Sequence, residues 1–204
     1  NWRLEVESLS AARRSRLSKE LRSDSVPAAP PQIYAELRNA VPPGSIFTMD
    51  AGGASGMGYD RIHFTEPQTF FTPRSFGSLG VGFPIALGAK LARPDKTVIS
   101  INGDGGFLFN AQEIQTAVEY NINVIAIVMN DNSWGSEKLI QKNRFNERYW
   151  AVDINNPRFD KYANLFGAQG YYCEHPDQIG DIVKEAIRSN KPAVIEVPIK
   201  GVAS

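Results

Sequence analysis

The chain has 204 residues, 42% of them hydrophobic, with 22 Lys and Arg against 22 Asp and Glu. That length buries a core without disulfides or a structural zinc, and the single cysteine, Cys173, excludes an internal disulfide framework and a four-cysteine metal site. Zero net charge and a pI near 7 give no electrostatic footprint for nucleic acid or an anionic membrane, and no run of about 18 apolar residues offers a membrane span. The first residues, Asn1-Trp2-Arg3-Leu4-Glu5, have neither a signal-peptide plan nor an initiator Met, so a cytoplasmic piece of something longer is expected.

Residues 1–24 are charged and irregularly amphipathic, with Arg13, Arg14, Arg16, Lys19 and Arg22 around Leu9, Leu17 and Leu21, and read as a helix. Val26-Pro27-Ala28-Ala29-Pro30-Pro31 breaks it, because proline lacks a backbone donor and biases its predecessor away from helix. Residues 1–31 are therefore read as a linker from another domain or as a solvated surface helix and loop, and 32–204 as one domain. Ile33, Leu37 and Val41 mark a helix face, Ser45 to Met49 a short buried strand, and Gly80 to Leu91 a small-residue helix packed closely on a sheet. The strand Thr97 to Ile101 follows, then a helix face at Ile114, Ala117 and Val118. Val124 to Met129 is apolar on both faces, as a central parallel strand requires. Helices around Tyr162 to Phe166 and Ile179 to Ile187, then the strand Ala193 to Val197, complete the pattern. Alternating strands and helices predict an α/β fold, a parallel sheet sandwiched by helices with right-handed crossovers.

In such a sheet, ligands sit beyond the carboxyl ends of the strands, which directs attention to Gly103-Asp104-Gly105-Gly106 and Asn130-Asp131-Asn132-Ser133-Trp134-Gly135. Glycines at a strand-to-helix turn let backbone N–H groups approach a phosphate. A carboxylate in the same turn would repel that phosphate unless a cation lies between them, so Asp104 predicts a Mg²⁺-type ion, which takes oxygen ligands and combines one or two carboxylates with phosphate oxygens. Asp131 and Asn132 end the neighbouring apolar strand and can supply further oxygens. Gly-Asp-Gly alone is ordinary turn chemistry; its pairing with Asn130-Asp131 across residues 106–129, filled by a helix and a buried strand, is specific.

This spacing resembles the thiamin-diphosphate fingerprint, a GDG sequence followed some two dozen residues later by Asn or Asn-Asn. Asp50-Ala51-Gly52, Gly80-Val81-Gly82-Phe83-Pro84, Gly88-Ala89, Arg93-Pro94-Asp95 and Asn110-Ala111-Gln112-Glu113 extend the likeness over residues 32–199 to the C-terminal domain of acetolactate synthase-like enzymes. Ser133 to Lys138 and Asn143 to Tyr149 have some similarity to sulfoacetaldehyde acetyltransferase. The resemblance implies a thiamin-diphosphate-binding fold and a Mg²⁺-dependent lyase or carboligase acting on 2-oxo acids. By position it makes Asp104, the Asp131 side chain and the Ser133 carbonyl the metal ligands, Asp131 standing where the family usually has Asn. Asp50, Gly52, Gly53, Ala54, Leu79, Gly103, Gly105, Gly106, Trp134 and Gly135 would join these residues around the cofactor. Gly53 and Ala54 replace the family's usual Gln and His, and Leu79 would be the apolar wedge that holds the cofactor bent. The general-base glutamate of the family comes from a pyrimidine-binding domain or subunit and has no match here. A homo-oligomer, at least a dimer, is implied, and the chain alone is expected to be inactive.

The alternatives are a non-catalytic Mg²⁺-diphosphate-binding fragment, the small subunit of a split 2-oxo acid decarboxylase, or an unrelated nucleotide-binding domain, whose G-x-G-x-x-G is missing. Glu113 reads as a helix-dipole partner, His63 and His175 as surface or satisfied core histidines, and Cys173 as a small buried hydrophobe. Lys138 to Trp150 is either a lid over the substrate or an ordinary surface helix.

Overall fold

The computed structural model describes residues 1–20, 25–62, 64, 66–73 and 75–201, with only the backbone of 19, 20 and 54. Leu21, Arg22 and His63, named above, lie outside the described residues, as does the side chain of Lys19. In chain order the elements are α1 (Trp2–Glu20), α2 (Pro30–Ala40), β1 (Ile46–Met49), α3 (Gly53–Gly56), α4 (Gly58–Arg61), β2 (Phe70–Phe71), α5 (Gly82–Ala92) and β3 (Val98–Gly103). They continue with α6 (Asp104–Phe109), α7 (Ile114–Glu119), β4 (Ile125–Asn130), α8 (Gly135–Arg144), α9 (Phe159–Leu165), β5 (Gln169–Tyr172), α10 (Ile179–Ser189) and β6 (Ala193–Pro198).

The strands form one parallel sheet in the order β2-β1-β3-β4-β6-β5. Alternation along β4 shows how the sandwich is built. Ile125, Ile127 and Met129 join a cluster with Ile33, Tyr34 and Leu37 of α2 and Ile179, Val183 and Ala186 of α10. Ala126 and Val128 face the opposite layer, where Phe83 and Leu87 of α5, Phe107 of α6, Ile114 of α7 and Phe159 of α9 pack. Both faces of the strand are thus dry, which is why its sequence is apolar without alternation.

Two strands escaped the sequence pattern. The edge pair Phe70–Phe71 is held by aromatic contacts, Phe64 to Phe70 at 4.8 Å and Tyr59 to Phe70 at 5.5 Å, rather than by an apolar run of its own. The other, Gln169 to Tyr172, is a half-buried edge strand on β6.

The body of the domain also begins earlier than residue 32. Ala28 is buried, its N–H donates to the Pro198 carbonyl at 3.2 Å, and its carbonyl accepts from Lys200 N at 2.9 Å. Pro30 and Pro31 open α2 instead of preceding it, because first-turn N–H groups have no intrahelical acceptor and proline loses nothing there. The α1 helix leaves Trp2, Leu4 and Leu9 exposed and touches the body through an Arg13–Asp60 ion pair.

Candidate functional site

β1 pairs with β2 on one side and β3 on the other, so the crevice at the carboxyl ends of β1 and β3 is a point where the winding of the sheet reverses. A cleft of about 380 Å³ lies there. It is lined by Gly52 and Gly53 after β1, Gly103 to Gly106 at the β3–α6 junction, Asp131 and Ser133 to Glu137 after β4, and Leu79. The fold therefore gathers Gly52, Gly53, Leu79, Gly103, Asp104, Gly105, Gly106, Asp131, Ser133, Trp134 and Gly135 around one space, from four separate stretches of chain.

Asp104 is the first residue of α6 and only 3% exposed. One carboxylate oxygen, Oδ2, accepts from Asn156 Nδ2 at 2.7 Å and from Ser133 N at 3.2 Å. Burial, together with the nearby Asp131 carboxylate, still pushes its carboxyl up to about 6. Burial also raises Asp131. Two carboxylates that each resist ionisation and face one cleft are a site for positive charge. Ser133, 3% exposed, sets its hydroxyl and its N–H beside the Asp131 carboxylate, which opposes part of that rise. No group of three or more His, Cys, Asp or Glu side chains converges among the described residues. Two carboxylates with nearby serine oxygens fit a hard cation that completes its shell from a phosphate ligand and water, and do not fit a thiophilic ion.

Asp50 differs from its expected place. It is fully buried and does not line the cleft; its Oδ2 accepts from Gly80 N at 2.8 Å and its Oδ1 from Val81 N at 3.1 Å and Gly82 N at 3.2 Å. Burial raises its pKa against the opposing pull of these N–H groups. Asp50 ties the start of α5 to the sheet, a task shared by Thr48, whose hydroxyl donates to the Gly82 carbonyl at 2.8 Å. There is no room for a side chain at Gly82, whose Cβ would lie 2.7 Å from Asn102 Oδ1. Gly80 adopts φ +79° and turns the chain into this arrangement. The side chain of Ala54 lies outside the described residues.

Leu79, next to that anchored turn, is 36% exposed, so it is a cleft wall and not core. Trp134 packs over Gly105, where a Cβ would come within 2.5 Å of the indole, and stands edge-on to Phe109 at 6.0 Å. A side chain at Gly106 would collide with the Asp50 carboxylate. The two glycines thus let the α6 amides, the indole and Asp50 pack together.

Outside the cleft, Glu113 accepts from Thr116 Oγ1 at 2.8 Å, and His175 caps the 3-10 turn Pro176–Gln178. Cys173 is buried, and that burial pushes its thiol up to about 12, which makes it inert. The segment from Lys138 to Trp150 contains α8, which buries no residue; Lys138 pairs with Asp153 at 2.7 Å, and Gln141 holds the Trp150 backbone.

Reasoning from sequence missed Met57, Ser136, Glu137 and Lys200 as cleft residues, and Asn156 as the partner of Asp104, while Leu139 falls within the stretch read as a lid or a surface helix. Glu137 lies in the turn after Trp134-Gly135 and could have been found by following the helix. Asn156, 52 positions from Asp104, carries no local signal.

The family model "Thiamine pyrophosphate enzyme, C-terminal TPP binding domain" matches residues 50–197. Acetolactate synthase of Bacillus subtilis (strain 168) is 38% identical over 172 residues, covering 84% of this chain and 30% of that protein. Sulfoacetaldehyde acetyltransferase of Alcaligenes xylosoxydans xylosoxydans is 34% identical over 172 residues, covering 82% of this chain and 28% of its own length. Among solved structures, the Rhodococcus jostii RHA1 thiamine diphosphate-dependent 4-hydroxybenzoylformate decarboxylase superposes with a TM-score of 0.82 at 26% identity, over 89% of this chain and 34% of that one. The chain spans about a third of the length of the relatives it matches.

Proposed function

Because the chain belongs to the thiamine pyrophosphate enzyme family, as its C-terminal TPP-binding domain, we propose that it holds the diphosphate of thiamin diphosphate through Mg²⁺ in an acetolactate synthase-like lyase or carboligase acting on 2-oxo acids. The observation that carries this reading is the pair Asp104 and Asp131 facing one cleft, both with raised carboxyl pKa values. A cation held by both would relieve their repulsion and supply the charge that a diphosphate needs beside two carboxylates.

Asp104, Asp131 and the oxygens of Ser133 would hold the metal, while Gly105 and Gly106 offer first-turn N–H groups to phosphate. Leu79 and Trp134 supply apolar walls that exclude water and restrict the ligand's orientation. When bound, thiamin diphosphate supplies the electron sink for breaking or making a bond beside a carbonyl, and the protein's share is binding and orientation. Turnover needs a pyrimidine-binding domain or subunit carrying the family's glutamate, so the reactive assembly is at least a dimer, with α1 in the segment leading from a middle domain. No helix among the described residues is long and apolar enough to cross a membrane.

Calorimetric titration of thiamin diphosphate with and without Mg²⁺ tests the reading. Binding should require Mg²⁺, Asp104→Ala should abolish that requirement together with the binding, and Asp131→Asn, which restores the usual family residue, should keep most of it. Unchanged Mg²⁺-dependent binding by Asp104→Ala would refute the ligand set.

A further inference from the structure

A chain of side-chain amides, buried Asn130 and half-buried Asn156, links Asp104 to a carboxylate outside the cleft. Asn156 Nδ2 donates both to Asp104 Oδ2 at 2.7 Å and to Asn130 Oδ1 at 2.9 Å. The same Asn130 Oδ1 accepts from Asn132 N at 3.0 Å, and Asn130 Nδ2 donates to Glu196 Oε1 at 2.9 Å. Glu196, 2% exposed on β6, accepts on its other oxygen from Phe159 N at 2.8 Å and lies 3.4 Å from Arg158 Nε. Arg158 is itself held over the Tyr172 ring at 3.6 Å and by Asp160 at 2.9 Å.

The direction of this relay is fixed at Asn130 by Glu196 together with the Asn132 N–H, which can only donate. Glu196 accepts on both oxygens, from Asn130 Nδ2 and from Phe159 N, so Asn130 turns its Nδ2 toward Glu196. Asn130 then presents its oxygen to Asn132 N and Asn156, and Asn156 must present its NH₂ group to Asp104. A flipped Asn130 would set its carbonyl oxygen against Glu196 and its NH₂ against the Asn132 N–H, and a flipped Asn156 would set a carbonyl oxygen against the Asp104 carboxylate. Asn156 and Ser133 N both act on Oδ2, so the relay fixes one oxygen of the carboxylate and with it the plane in which the other is presented.

We propose that Glu196 and Asn156 are positioning residues for the cation: Glu196 sets the polarity of the Asn130–Asn156 relay, and the relay aims the Asp104 carboxylate into the cleft. This rests on the Mg²⁺ reading above. Partners that orient a metal-bound carboxylate typically change metal affinity by about 10–100-fold when removed, although Glu196 never touches the metal.

The test measures Mn²⁺ affinity by water-proton relaxation on the full-length protein with thiamin diphosphate present, and thermal stability separately. Glu196→Gln puts an NH₂ group where Phe159 N and Asn130 Nδ2 both need an acceptor, so either a donor is left opposed to a donor or the relay inverts. Asn156→Ala removes the donor to Asp104 and leaves the Glu196 contacts with Asn130 and Phe159 intact, so it decides the matter even if Glu196→Gln fails to fold. Both variants should bind Mn²⁺ about 10–100-fold more weakly, and Asp104→Ala should not bind it. If Asp104→Ala loses Mn²⁺ while folded Asn156→Ala binds it as tightly as the wild type, the cation site stands and the relay is overturned. Should Asp104→Ala bind as the wild type does, the cation reading fails and the relay falls with it.

Discussion

Asp50 Oδ2 accepts the N–H of Gly80 at 2.8 Å, and this one hydrogen bond fixes the residue beside Leu79 to the end of β1. With Val81 N and Gly82 N on Oδ1, the carboxylate replaces the acceptors that the first turn of α5 lacks within its own helix. Asp50→Ala would leave three N–H groups unpaired, those of Gly80 and Gly82 buried and that of Val81 half-buried, and each buried one costs about 1–3 kcal/mol. Chemical denaturation should register a loss of about 3 kcal/mol or more, larger than for Asp50→Asn, whose amide oxygen keeps part of the set.

Leu79 responds differently, because it borders the cleft at 36% exposure. Leu79→Ala should cost well under the about 2–5 kcal/mol of a core leucine while lowering the rate of the complete enzyme strongly. A variant badly destabilised yet normally active per folded molecule would show that Leu79 is packing alone.

The Asp104 carboxyl, raised by burial and by Asp131 from its ordinary 3.8 to about 6, gives a pH dependence of defined sign. Between those values the folded chain binds the proton more tightly than the unfolded chain does, so without divalent cations stability should fall as pH rises from about 4 to about 6. The slope is at most about 1.4 kcal/mol per pH unit for this group. Adding Mg²⁺ with thiamin diphosphate should remove the fall, since a bound cation stabilises the ionised form. Thermal melts across that range in chelator and in Mg²⁺ would reveal it, and identical profiles would count against a cation at Asp104.

Gly105→Ala should displace Trp134, since the added Cβ would sit 2.5 Å from the ring. Overpacking of this kind costs roughly 1–3 kcal/mol. The indole fluorescence should change, and the change should vanish in a Trp134→Phe background. An unaltered spectrum would mean that the α6 turn yields instead of the ring.

Periodicity determined the layered fold, and spacing picked out the residues that the fold gathers at the cleft. β4 is apolar on both faces because it lies between two helical layers, and glycines with a carboxylate at a strand end signal phosphate with a cation wherever the strand ends up. Such signals are local, so they are readable in one dimension. Tertiary structure alone decided which carboxylate does what. Asp50 and Asp104 both follow buried strands and look alike in sequence, yet Asp50 is consumed by the backbone of residues 80–82 and Asp104 faces the cleft. The short strands β2 and β5 were invisible for a related reason: partners supplied from elsewhere hold them, not runs of their own. Asn156 and Glu196 reach Asp104 across long stretches of chain, and hydrogen-bond direction, which orders that relay, exists only once the folded backbone has brought donors and acceptors face to face.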